Sequence, residues 1–138
     1  LNLSLKAEPK AAEVGTDLFK LLKLNPIYFD YDKSEIRPEA EIELTKIINY
    51  MNEFPTVKVD VRSHTDSRGK DAYNFALSDK RNTSTINYII NTGGISKGRL
   101  TGKGYGETQL VNKCSNGVKC SDDEHQVNRR SEFIIVEN

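Results

Sequence analysis

The residues best suited to chemistry by type and spacing are an acid and a guanidinium. Asp66 stands in the turn-like segment HTDSRG (residues 64–69), and Asn74, Ser78 and Arg81 follow at i, i+4 and i+7. On a helix over residues 71–91 those three share one face. A helical side chain leans toward the N-terminus of its own helix, so Arg81 reaches back toward the loop that carries Asp66. An acid and a guanidinium held close, with amide donors between them, match a zwitterion: the carboxylate takes an ammonium group and the arginine forks onto a carboxylate. The plainer reading is a surface ion pair on a solvated helix, worth only ~0–1 kcal/mol. Spacing does not choose between the two.

Other chemistries find less support. The glycines of GKGYGE (102–107) alternate and follow a helical segment, so they fit the dinucleotide fingerprint G-x-G-x-x-G in neither spacing nor context. His64 and His125 stand beside turns without a nucleophile placed by any known elbow, which points to polar structural roles. Cys114 and Cys120 have five residues between them, in KCSNGVKC, around the turn-forming pair Asn116-Gly117. That layout closes a small disulfide loop, leaves two free thiols, or joins His125 and an acid from residues 122–124 in a metal site; no second Cys or His pair completes a zinc set. No cofactor is expected.

The elements that must hold Asp66 and Arg81 read as follows. Residues 16–24 (TDLFKLLKL) form at most a short helix behind a Thr16 cap, so residues 1–25 are a linker or a short N-terminal helix. Residues 26–31 (PIYFDY) are β-rich, with Ile27 and Phe29 on one face, and read as a strand. Over 38–54, Leu44, Ile47, Ile48 and Met51 form the stripe of an amphipathic helix that Pro55 ends. Val57, Val59 and Val61 alternate with polar residues as a strand to Ser63; a helix over 71–91 turns Leu77, Ile86, Ile89 and Ile90 inward and stops at Gly93-Gly94. Strands over 99–105 and 130–136 complete the order βαβαββ. That order predicts an α/β (α+β) two-layer sandwich in one domain, residues 26–138, with helices on one face of a mixed sheet.

Composition bounds the partners. The chain has 138 residues, with 20 Lys and Arg against 20 Asp and Glu, so nothing in the net charge favours nucleic acid or an anionic membrane. No window approaches the ~18–20 uninterrupted apolar residues of a membrane span. The chain opens at Leu1 rather than Met, as a processed protein or an excised domain would.

Six segments in order resemble a known family: FDYDKSEIRPEA (29–40), SHTDSRG (63–69), YNFALSDKR (73–81), GGISKGRL (93–100), GKGYGE (102–107) and NRRSEF (128–133). They are similar to the successive signatures of OmpA-like C-terminal domains, a group that includes peptidoglycan-associated lipoproteins and flagellar-motor stator proteins. The resemblance implies a non-enzymatic anchor that binds peptidoglycan through the meso-diaminopimelate of the stem peptide. By motif matching, Asp66 holds the ammonium and Arg81 the carboxylate. Phe29 and Asp30 line the groove, Asn74 and Leu77 contact the ligand, and Arg129 adds positive charge at the rim. Thr65 either offers a hydroxyl or shapes the turn. Asn82 departs from the family's small Ala, which would loosen packing beneath Arg81. The insert over 113–123 resembles that of large multidomain outer-membrane proteins, and a Cys114–Cys120 disulfide there is consistent with an oxidising periplasm. The implied setting is a parent protein at the outer membrane of a Gram-negative bacterium. The other readings are an envelope protein-interaction domain without wall binding, and a cell-wall hydrolase or amidase, for which no metal set or paired nucleophile is found.

Overall fold

A computed structural model describes residues 10–138. Its elements are α1 (Leu18–Leu21), α2 (Pro38–Glu53), β1 (Lys58–His64), α3 (Asp71–Gly93), a single 3-10 turn at Lys97–Arg99, β2 (Leu100–Gly106), α4 (Asp122–Gln126) and β3 (Arg130–Glu137). The sheet has three strands in the order β2-β1-β3, with β1 parallel to β2 and antiparallel to β3. The expected α/β class, mixed sheet and helix-on-sheet layering are all present.

Local chemistry explains the helices. Pro38 starts α2 at a position whose N–H has no intrahelical partner, and Glu39 and Glu41 meet the positive end of its dipole. Leu44, Ile47, Ile48 and Met51 are buried as their spacing requires, against Val57, Val59 and Val61 of the sheet side and Phe133 and Ile135 of β3. Gly94 ends α3 in the left-handed conformation, φ 64°, at the expected stop. The buried face of α3 is unlike a hydrophobic stripe: Asn74, Ser78, Asn82 and Thr85 precede Ile89.

Gly104 lets that polar face lie close on β2. A Cβ there would meet Asp79 N at 2.2 Å, so α3 touches the strand's backbone directly. Gly104 N donates to the Asp79 carboxylate and Gly106 N to the Ser78 hydroxyl, which satisfies amides on the open edge of the sheet. The glycine run thus serves helix packing and edge protection.

The strand expected over residues 26–31 is absent. The outer edge of β3 is taken by residues 15–17 instead: Gly15 N donates to Ile135 O, Ile135 N to Thr16 O, and Phe133 N to the Asp17 carboxylate. With those groups satisfied, no ladder is left for Ile27 and Phe29, and they turn toward the pocket described below. Asp17, not Thr16, caps α1. Leu18 and Leu24 are fully and nearly fully buried in the main core, so the described residues ahead of 26 pack against the rest of the domain. No helix among the described residues is long and apolar enough to cross a membrane.

Candidate functional site

Where the parallel pair β1 and β2 ends, the chain leaves β1 through the loop 65–70 and enters α3. The start of β3, the first half of α3 and residues 27–29 close the sides of a cavity of about 210 Å³. Phe29, Thr65, Asp66, Asn74, Leu77, Arg81 and Arg129 all line it, so seven of the eight residues singled out in the sequence meet there. Asp30 is the exception: its carboxylate faces Arg37 at 3.3 Å and is largely exposed, and only its carbonyl faces the site, accepting from Arg81.

Arg81 sits half-buried, with its guanidinium 4.9 Å from the Phe29 ring centroid in a cation–π contact. Its Nε donates to Lys33 O at 2.9 Å and one Nη to Asp30 O at 3.2 Å. Among the described residues no carboxylate pairs with it in a salt bridge. Burial lowers its pKa below the ordinary arginine value, against a smaller opposing pull from Tyr73 and Asp32 nearby.

Asp66 is in the opposite state. Its Oδ1 accepts from the Arg68 amide at 2.8 Å, closing an Asx turn, and its Oδ2 accepts from Arg68 at 3.0 Å and Arg129 at 2.6 Å. Burial acts to raise its carboxyl, but the hydrogen bonds from the two arginines outweigh it and hold the group below its ordinary value. Asn74 braces the loop by donating to Arg68 O at 2.8 Å. Thr65 donates its amide to Gly106 O, while its hydroxyl is buried without a partner among the described residues.

The cysteines are disulfide-bonded. Glu124 lies near the two sulfurs, but the bond between them leaves no thiolate for a metal. The resulting loop supports the β1–α3 loop from behind: the Ser67 hydroxyl donates to Cys114 O, Asn116 Nδ2 to the Asp71 carboxylate, and Arg68 pairs with Asp122 at 3.0 Å. Asp122 belongs to α4, whose capping box joins Ser121 and Glu124.

Sequence reasoning missed Arg68. Its signal was present, since an aspartate two residues before an arginine in a tight loop sets both the Asx turn and a short-range ion pair. It also misjudged Asn82. That side chain is buried, accepts from the Ser63 hydroxyl at 2.8 Å and donates to Val61 O at 2.9 Å, so it fastens α3 to β1 instead of loosening the packing.

The OmpA family model matches residues 28–123, more than half of the chain. The chain belongs to the OmpA family. An outer membrane porin F of Pseudomonas aeruginosa is 32% identical to this OmpA-family domain over 79% of the chain and 30% of that protein. A peptidoglycan-associated lipoprotein of Mesorhizobium japonicum is 30% identical over 68% of the chain and 55% of that protein. A photosystem I chlorophyll a apoprotein of Gloeobacter violaceus is 38% identical over 94% of the chain and only 15% of that protein. The chain therefore spans less than two thirds of each relative. The crystal structure of the peptidoglycan-associated lipoprotein from Burkholderia pseudomallei shares the fold, with a TM-score of 0.68 at 21% identity over 83% of this chain and 92% of that one. OmpA-family domains are structural modules, not enzymes.

Proposed function

We propose that this domain anchors a larger envelope protein to the cell wall by binding peptidoglycan non-covalently, through the zwitterionic end of meso-diaminopimelate in the stem peptide. Arg81 forks onto the ligand's carboxylate and Asp66 takes its ammonium. Phe29 and Leu77 flank the methylene chain, and Asn74, Thr65, Asp30 and Arg129 shape the rim. The observation that carries this reading is Arg81: a half-buried guanidinium that lines a cavity and has no carboxylate within salt-bridge distance among the described residues. Two of its five N–H bonds are used on loop carbonyls, which leaves donors for a ligand anion. The Cys114–Cys120 disulfide supports a periplasmic location, and so do the names of the outer-membrane and peptidoglycan-associated relatives. Affinity per domain is expected between ~mM and ~µM, with avidity from a wall that repeats the ligand.

The test is calorimetric titration with a soluble meso-diaminopimelate muropeptide, beside the Arg81→Ala variant and a lysine-type muropeptide. The variant should bind about 10- to 100-fold more weakly, the value of a charge-assisted hydrogen bond. The lysine-type ligand, which lacks the second carboxylate, should also bind weakly. Equal binding in all three titrations would make Arg81 structural, and no binding in any would favour a protein-interaction domain.

A further inference from the structure

The ligand's ammonium, on the reading just proposed, must reach a carboxylate that already serves two guanidiniums. Those two are held differently. Arg129 reaches Asp66 Oδ2 at 2.6 Å through Nη1, with its side chain one-third exposed. Arg68 reaches the same oxygen at 3.0 Å through Nη2, is half exposed, and binds Asp122 at 3.0 Å through Nη1. Arg68 therefore has a second anionic partner in place. It can leave Asp66 without becoming an uncompensated charge.

We infer that Arg68 is a built-in competitor for the ligand's ammonium group, occupying Asp66 in the free domain and swinging to Asp122 alone when the ammonium binds. The inference rests on the site reading above. Its consequence is selectivity: a ligand without a cation at that end cannot displace Arg68. The geometry also separates this role from a structural one. Asp66 Oδ1 is held by the backbone N–H of Arg68, which no substitution at that position other than proline removes, and Oδ2 keeps Arg129. Deleting the Arg68 side chain thus leaves the carboxylate oriented and less crowded.

Three domains are titrated with the meso-diaminopimelate muropeptide: native, Arg68→Ala and Asp122→Asn. The same muropeptide acetylated at its free amine is the control, and thermal midpoints verify folding. Arg68→Ala should bind the free-amine ligand about two- to fivefold more tightly, in line with release of one half-exposed ion pair. Asp122→Asn should bind it more weakly, because Arg68 then keeps only a neutral amide oxygen there and Asp66 is its one remaining anionic partner. The acetylated ligand should gain nothing from Arg68→Ala. Unchanged or weaker binding by Arg68→Ala, or an equal gain for the acetylated ligand, would overturn the competitor role while leaving wall binding intact. Absence of binding by native and variant domains alike would remove the functional reading and this inference with it.

Discussion

Arg81 and Asp66 face the same cavity in opposite electrostatic situations, one without a salt-bridge partner among the described residues and the other with two. His64, beside them, is a third case. It is 6% exposed, faces Glu132 at 3.1 Å through Nε2 and stacks on Tyr105. Burial, and then the positive charge of Arg130, lower its pKa against the pull of Glu132. The unfolded chain, with histidine near its ordinary ~6.5, therefore takes up a proton before the folded one does. Stability is then full above that value and declines as pH falls from it toward the lower folded pKa. Urea midpoints should drop between pH 7 and pH 5.5 in the native domain, and His64→Gln should flatten that slope. A slope of equal size in the variant would place the titration elsewhere. The cavity-facing pair was legible in the sequence because Arg81's place on the helix and the lean of its side chain point it toward the loop of Asp66. Arg68's pairing with Asp66 had a local signal that was passed over, but its second partner, Asp122, and Asn82's partner, Val61, come from distant segments that spacing does not relate.

Among the elements, α2 and β1 were legible because their apolar positions recur with the period of the structure they form. α3 was legible only at its ends and last turns, where Ile86, Ile89 and Ile90 pack on the core. Its first half buries Asn74, Ser78 and Asn82, and hydrophobic periodicity is blind to a face built from hydrogen bonds. Residues 26–31 misled for the converse reason: they have strand composition, but β3's edge is already taken by residues 15–17. α4 has five residues, too few for any periodic signal. The polar seam of α3 makes a prediction at this scale. Asn82→Ala removes the acceptor of the buried Ser63 hydroxyl and a donor to Val61 O, and leaves a small void between helix and strand. Chemical denaturation should show a loss of about 1–3 kcal/mol, the cost of unpaired buried polar groups. A neutral result would mean that Ser63 and Val61 find new partners.

Taken whole, the molecule begins its core earlier than its family match. The match starts at residue 28, yet Leu18 is fully buried, Leu24 nearly so, and residues 15–17 pair with the edge of β3. Two further ties close the same side. The Tyr50 hydroxyl accepts from Ala12 N at 2.8 Å, and Glu43, almost fully buried on α2, accepts from Asn25 N at 2.8 Å and Lys46 Nζ at 3.0 Å. The Asn25 backbone bond is the main reason the Glu43 carboxyl sits below its ordinary pKa. A chain begun at residue 26 loses all of these except the Lys46 pair. It exposes the sites of Leu18 and Leu24, leaves the β3 edge open to self-association, and takes from Glu43 the backbone hydrogen bond of Asn25. Burial of two leucines is worth about 3–6 kcal/mol before the entropy of ordering the segment is set against it, so a net loss on the order of 2 kcal/mol is expected. The cavity should survive, because its lining begins at Ile27. The truncated domain should therefore unfold at a lower temperature and lower urea concentration, tend to self-associate, and still bind the muropeptide well below its midpoint. Equal stability of the two chains would show that the leading segment covers the core without contributing to it, and loss of binding in a folded truncated chain would show that it positions Phe29.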